Sequence, residues 1–218
     1  MSVRNYLINV EDMSLSDKKG FKQAALAAGL ERCASVGIGT LNADLPALEG
    51  IPEANKEQRV RSITSVIAKG EWPGSVDQRE LVTGPLRTDF VVATALDEMV
   101  TAPLAAVGAA YSCFQAVAAP QLIINRLAVF YGVSINVFPQ PVSYLLFRSG
   151  GAAGNVIAMF DLQGQDTRLA YDAFFSEPVV YDPQQVFAVQ VVCKIPTAAA
   201  ERIHLHNFLF GPAGQTIL

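Results

Sequence analysis

Between residues 186 and 195 every second side chain is apolar: Phe187, Val189, Val191, Cys193 and Ile195. A period of two places all five on one face of an extended strand, and a helix would scatter them. The same alternation runs through residues 121–138, where Ile123, Leu127, Val129, Tyr131, Val133, Ile135 and Val137 share a face. That stretch is far longer than the usual strand of about 5–6 residues, so a bend or bulge is expected near Gly132.

Shorter runs complete the pattern. Residues 142–148 and 155–163 read as strands on either side of Ser149-Gly-Gly-Ala-Ala-Gly154, a glycine-rich hairpin turn. Residues 168–175, 178–181 and 202–210 add three more. With 81–92 and part of 104–117 the count reaches eight or nine. Strands in such number, with turn signals between them and no alternation with helices, specify a mainly β antiparallel sandwich or barrel. Depending on register, the outer faces of its sheets carry Phe130, Phe138, Phe208 and Phe210.

The first part of the chain reads differently. Ser14-Leu15-Ser16-Asp17 supplies capping groups ahead of a helix over 18–28, with Gly29 as its stop. Residues 34–52 contain Gly37, Gly39, Pro46, Gly50 and Pro52 and read as loop. A second helix is expected over 53–69, with Val60, Ile63 and Ile67 on one stripe and Gly70 at its end. The polar stretch 69–77 then marks a boundary, dividing a helical and loop arm or subdomain (1–80) from a jelly-roll-like β-sandwich domain (81–218).

Charge separates the two parts as well. Residues 1–90 hold 11 Lys/Arg and 12 Asp/Glu, whereas the 128 residues of 91–218 hold only 5 and 8. Residues 99–125 and 127–147 carry none. A membrane span needs about 20 apolar residues in a row, and the best stretch, 104–119, is short, alanine-rich and framed by Pro103 and Pro120. No membrane span is expected. Core burial explains part of the deficit, and burial of outer surface against other copies or partners explains the rest. Residues 1–10 lack the apolar run of a secretory signal. Cys33, Cys113 and Cys193, odd in number and far apart, read as free thiols of a reducing compartment, with a disulfide between two of them as the minor alternative.

Chemistry-bearing motifs are few. His204 and His206 flank Leu205 in a strand and so emerge on one face, the spacing of two metal ligands. The stretch is similar to the histidine pair of cupins, which are also β-barrels, but it lacks the glutamate and third histidine that follow in that family. A zinc or iron site wants at least three protein ligands, and Cys193 or Asp182 would join only by accident of the fold. The competing reading is an exposed strand face shared with Arg202. Gly150, Gly151 and Gly154 lack the Lys-Ser/Thr and helix of a phosphate loop and read as a turn. No G-x-S-x-G elbow occurs, and Cys113 sits in an apolar setting that keeps a thiol inert. Asp97 and Glu98 are adjacent, and Asp161, Asp166, Asp172 and Asp182 are isolated, so no carboxylate pair is selected. Lys18, Lys19 and Lys22 are offset by Glu11, Asp12 and Asp17, too few cations for a nucleic-acid arm. No catalytic residue, cofactor or direct nucleic-acid contact is expected.

A charged helical N-terminal segment ahead of an eight- or nine-stranded, charge-poor β domain resembles the single jelly-roll structural proteins of viruses and phages. Residues 177–194 look like a late strand pair of such domains, and 208–217 like a last strand with its tail. The resemblance implies a jelly-roll-like sandwich and a non-enzymatic shell, decoration or spike subunit of a virion. Its partners would be copies of itself and other virion proteins, and it would be made in the host cytoplasm. Many small coat proteins carry a basic arm that this chain lacks, which implies that another component handles the genome. Tumour-necrosis-factor-like, complement C1q-like and cupin domains share the architecture, since fold does not dictate function. Two alternatives therefore stand beside the virion reading. One is a cupin-like or other β-barrel binding protein or enzyme with His204 and His206 as ligands, the other a trimeric host-side ligand-binding module. Deletion of residues 2–70 should leave a folded β domain that assembles less if the arm serves contacts between copies.

Overall fold

A computed structural model describes residues 4–11, 13–36, 76–81, 101–113, 121–122, 126–135, 141–162, 171–201 and 203–212. Eight strands form a sandwich: β3 (Val76–Leu81), β4 (Ala110–Ser112), β5 (Leu127–Ile135), β6 (Val142–Ser149), β7 (Asn155–Asp161), β8 (Tyr171–Tyr181), β9 (Phe187–Cys193) and β10 (His204–Pro212). One four-stranded antiparallel sheet has the order β7-β6-β9-β4 and the other β8-β5-β10-β3. Two short N-terminal strands extend one edge of each sheet. β1 (Arg4–Asn5) runs parallel to β7, and β2 (Leu7–Asn9) runs antiparallel to β8. Apart from the β6–β7 hairpin, successive described strands from β3 onward alternate between sheets, a jelly-roll-like connectivity.

The core between the sheets is aromatic. Phe130, Phe147, Phe160, Phe175, Tyr181 and Phe187 are all fully buried, and Phe160 stacks on Phe175 at 4.0 Å between ring centroids. In β9 the alternation holds as expected: Phe187, Val189, Val191 and Cys193 point into this core, while Ile195 lies beyond the strand end and is exposed.

β5 behaves differently, and the cause is local. Leu127, Val129 and Tyr131 point outward from the sandwich, but Val133 points inward with Ala128 and Phe130. The ladders to β8 and β10 both skip at Tyr131, so one extra residue reverses the side-chain parity. The bulge thus falls beside Gly132. A Cβ there would sit 2.7 Å from the Ala173 carbonyl oxygen, which explains the glycine. Phe130 accordingly belongs to the inner core and not to an outer face. Phe208 and Phe210 do lie on the outer face, and Phe138 is outside the described residues.

Helix α1 (Leu15–Val36) covers that outer face. Ser14 caps it reciprocally, its hydroxyl accepting from the Asp17 amide at 3.1 Å and donating to the Asp17 carboxylate at 2.7 Å. Gly29 does not stop the helix. It lies against β10, where a Cβ would come within 2.3 Å of the Phe210 ring, so the missing side chain sets how closely helix and sheet approach. Ala25, Leu30 and Cys33 of α1 and Leu127, Val129, Tyr131, Phe174, Phe208 and Phe210 of the sheet form a second apolar cluster. Lys22 pairs with Glu80 at 2.6 Å, and the Arg32 guanidinium grips both oxygens of Asp182, pinning the helix at two points along its length.

Other expectations meet the structure segment by segment. The hairpin turn at 149–154 holds, with Gly150 and Gly151 at φ of 88° and 83°, so the phosphate-loop reading is excluded. The two strands expected at 168–175 and 178–181 are one continuous strand, β8, with Pro178 where its ladder to β5 is interrupted. β3 starts at Val76, ahead of the boundary placed at residue 80, and it pairs with β10. The expected helix at 53–69, and the parts of expected strands at 82–92 and 114–117, lie outside the described residues. No described helix is long and apolar enough to cross a membrane.

Candidate functional site

Among the described residues, two places outside the core carry an organised arrangement of side chains. The first lies under the start of α1. β10, β5 and β8 are neighbours, and their register sets His204, Ser134 and Asp172 side by side in one row across the sheet. One row along stand His206, Gly132 and Phe174. Both histidines therefore occupy the same face, as their spacing predicts. That face is not open, however: α1 lies over it, and the His206 side chain is only 12% exposed.

Because Gly132 has no side chain, His206 leans across it and its Nε2 meets Ser134 Oγ, which also meets Asp172 Oδ1. His206 Nε2 stays 3.9 Å from Asp172 Oδ1, so the serine hydroxyl links the two. An ionised Asp172 only accepts, so Ser134 donates to it and the histidine Nε2–H donates to Ser134. A hydroxyl held this way is not the proton donor to a base, and the trio is not a nucleophile triad, where the histidine must accept from the serine. Burial pushes the His206 pKa below its ordinary value, against the pull of Asp172, so the ring is neutral at pH 7.

Next to it, Tyr131 donates to Glu80, which also holds Lys22. Burial disfavours the Glu80 carboxylate, but the hydrogen bonds from Lys22 and Tyr131 outweigh it and keep the pKa below its usual range. Burial and Glu80 together push the Tyr131 hydroxyl up. Among the described residues no group of three or more His, Cys, Asp or Glu side chains comes together as a metal site. Cys193 faces the core from the other sheet, and Asp182 is engaged by Arg32. All three cysteines are buried free thiols, and burial pushes Cys33 up to about 12 and Cys113 higher still.

The second place is the end of the sandwich beside β4. Residues 101–109 and 194–201 run alongside each other there. The Thr101 amide donates to the Glu201 carbonyl and Thr197 to Leu104, each at 2.9 Å, and Gly108 donates to Cys193 at 2.8 Å. Thr101 Oγ1 and Thr197 Oγ1 accept from the Glu201 and Leu104 amides, and Tyr111 Oη accepts from both Ala105 and Ala106. A segment so tied has little freedom left to lose. Its outer surface is nonetheless apolar: Val107 is 68% exposed and Ile195 37%. Pro103, Ala105, Ala106, Pro196 and Ala198 to Ala200 are exposed around them, with no charged residue at 101–109 or 195–200.

The histidine pair was legible in sequence. Ser134 and Asp172 were not, because their proximity depends on strand register and on the Tyr131 bulge. Asp97, Glu98 and Asp166 lie outside the described residues. No protein-family model and no curated protein matches the chain.

Proposed function

We propose that this protein is a structural subunit of a virus or phage particle, a shell, decoration or spike component that works by self-association. The observation that carries this reading is the uncharged, hydrogen-bond-fixed surface made by residues 101–109 and 195–200. Surfaces that pack permanently against a partner are apolar and poor in Lys, Glu and Asp, and they bind better when already rigid. The jelly roll adds support by analogy, since capsid domains use it, as do lectins and cupins. The charge deficit of residues 91–218 points the same way.

Light scattering of the full-length chain across a concentration series tests the reading. A defined oligomer or particle is expected, and it should revert toward the monomer in a Val107→Asp/Ile195→Asp variant. A wild-type chain that stays monomeric at every concentration would overturn it.

A further inference from the structure

We infer that the cavity beneath the first turns of α1 binds a small amphipathic anion, a carboxylate carried on an apolar tail. The cavity is about 340 Å³, at the small end of the range of about 300–1,000 Å³ typical of small-molecule sites. Its wall is divided by chemistry: Val10, Leu15 and Phe174 are apolar, while Lys18, Lys19 and Lys22 bring three ammonium groups. Asp172 is the one carboxylate of the lining, and it is already held by Ser134.

Lys22 is matched by Glu80, but no side-chain hydrogen bond or ion pair engages Lys18 or Lys19 among the described residues. Their position makes this unusual. The first turns of a helix carry the positive end of its dipole, where cations are unfavourable, and Lys18 and Lys22 repel across one turn. An anion in the cavity offsets both effects. The apolar part has a similar logic: Leu15 is 77% exposed at the lip and gains cover only when something apolar lies against it. His206, neutral and donating to Ser134, closes the inner end without adding charge. Together these features select a negative head and an apolar tail, and they reject a cation of the same shape.

Isothermal titration of the full-length protein with decanoate, decylammonium and decanol tests the inference. Decanoate is expected to bind one per chain, at least about tenfold tighter than decylammonium or decanol. Lys18→Gln/Lys19→Gln, at helix positions outside both apolar clusters, should weaken it by about tenfold or more, and Asp172→Asn should tighten it. Absence of saturable decanoate binding, equal binding of decylammonium, or an affinity unmoved by both variants would overturn the inference. None of these outcomes bears on self-association, which the light-scattering series reads separately.

Discussion

Two of the apolar surfaces outside the sandwich core are treated in opposite ways. The outer face of the β8-β5-β10-β3 sheet is built of large flat residues, Leu127, Val129, Phe174, Phe208 and Phe210, and α1 is laid over it. The end made by residues 101–109 and 195–200 is built of small residues, prolines and two branched side chains, with no described element over it. Ion pairs frame the first surface at Lys22–Glu80 and Arg32–Asp182, whereas residues 101–109 and 195–200 carry no charge between the flanking Lys194 and Glu201. Helix cover within one chain tolerates a charged margin, because the margin stays wet. The end loops carry instead what a rigid surface needs to be buried against something else.

Breaking the covered surface should have the largest effect. Phe210→Ala is expected to cost about 3–5 kcal/mol in urea unfolding, since the ring is fully buried between sheet and helix. For the same reason, removal of residues 2–70 should uncover Phe208 and Phe210 and destabilise the sandwich, whereas a β domain that stays folded and only assembles less is the outcome expected of an arm that serves contacts between copies. Gly29→Val should cost about 1–3 kcal/mol by wedging α1 off Phe210, with the sandwich otherwise retained.

A change in the opposite direction is expected inside the core. Asn207 lies opposite Phe130, is fully buried, and among the described residues neither its amide nitrogen nor its oxygen has a partner. Asn207→Val should raise stability by about 1–2 kcal/mol in the same assay, as an unsatisfied amide gives way to a methyl group.

His206 sharpens the contrast through pH. Its folded pKa lies below the ordinary value of 6.5, so the unfolded chain takes up the proton first. Stability is therefore full above about pH 6.5 and falls as pH drops through the folded pKa, at no more than about 1.4 kcal/mol per pH unit for one proton. His206→Gln should flatten that fall between pH 6.5 and 5, leaving the part due to other groups. The smallest effect on folding is expected at the uncovered end: Val107→Asp/Ile195→Asp should shift stability by no more than about 0.5 kcal/mol while reducing association.

The sandwich was legible because a half-buried strand must alternate, and β9 does so without interruption. The limits of that rule appear at β5, where one bulged residue moves Val133 to the opposite face from Val129. Gly29 shows a second limit. A glycine near the end of a helical run signals a stop in local terms, yet here it answers to a ring more than 180 positions away in the chain. The site under α1 was readable only as fragments, His206 in one strand and three lysines in a helix. Its assembly depends on register and on helix docking, which are tertiary facts. The uncharged end was visible as a charge-free stretch, but not its exposure, since core and interface share one composition.

Hydrogen exchange read by mass spectrometry at low and high protein concentration addresses the uncharged end most directly. Slower exchange on association, centred on residues 103–109 and 194–200 with the amides of Ala105 and Ala106 among the most affected, is the result expected. Association that protects other surfaces and leaves those two segments unchanged would contradict the proposal that they are the contact between copies.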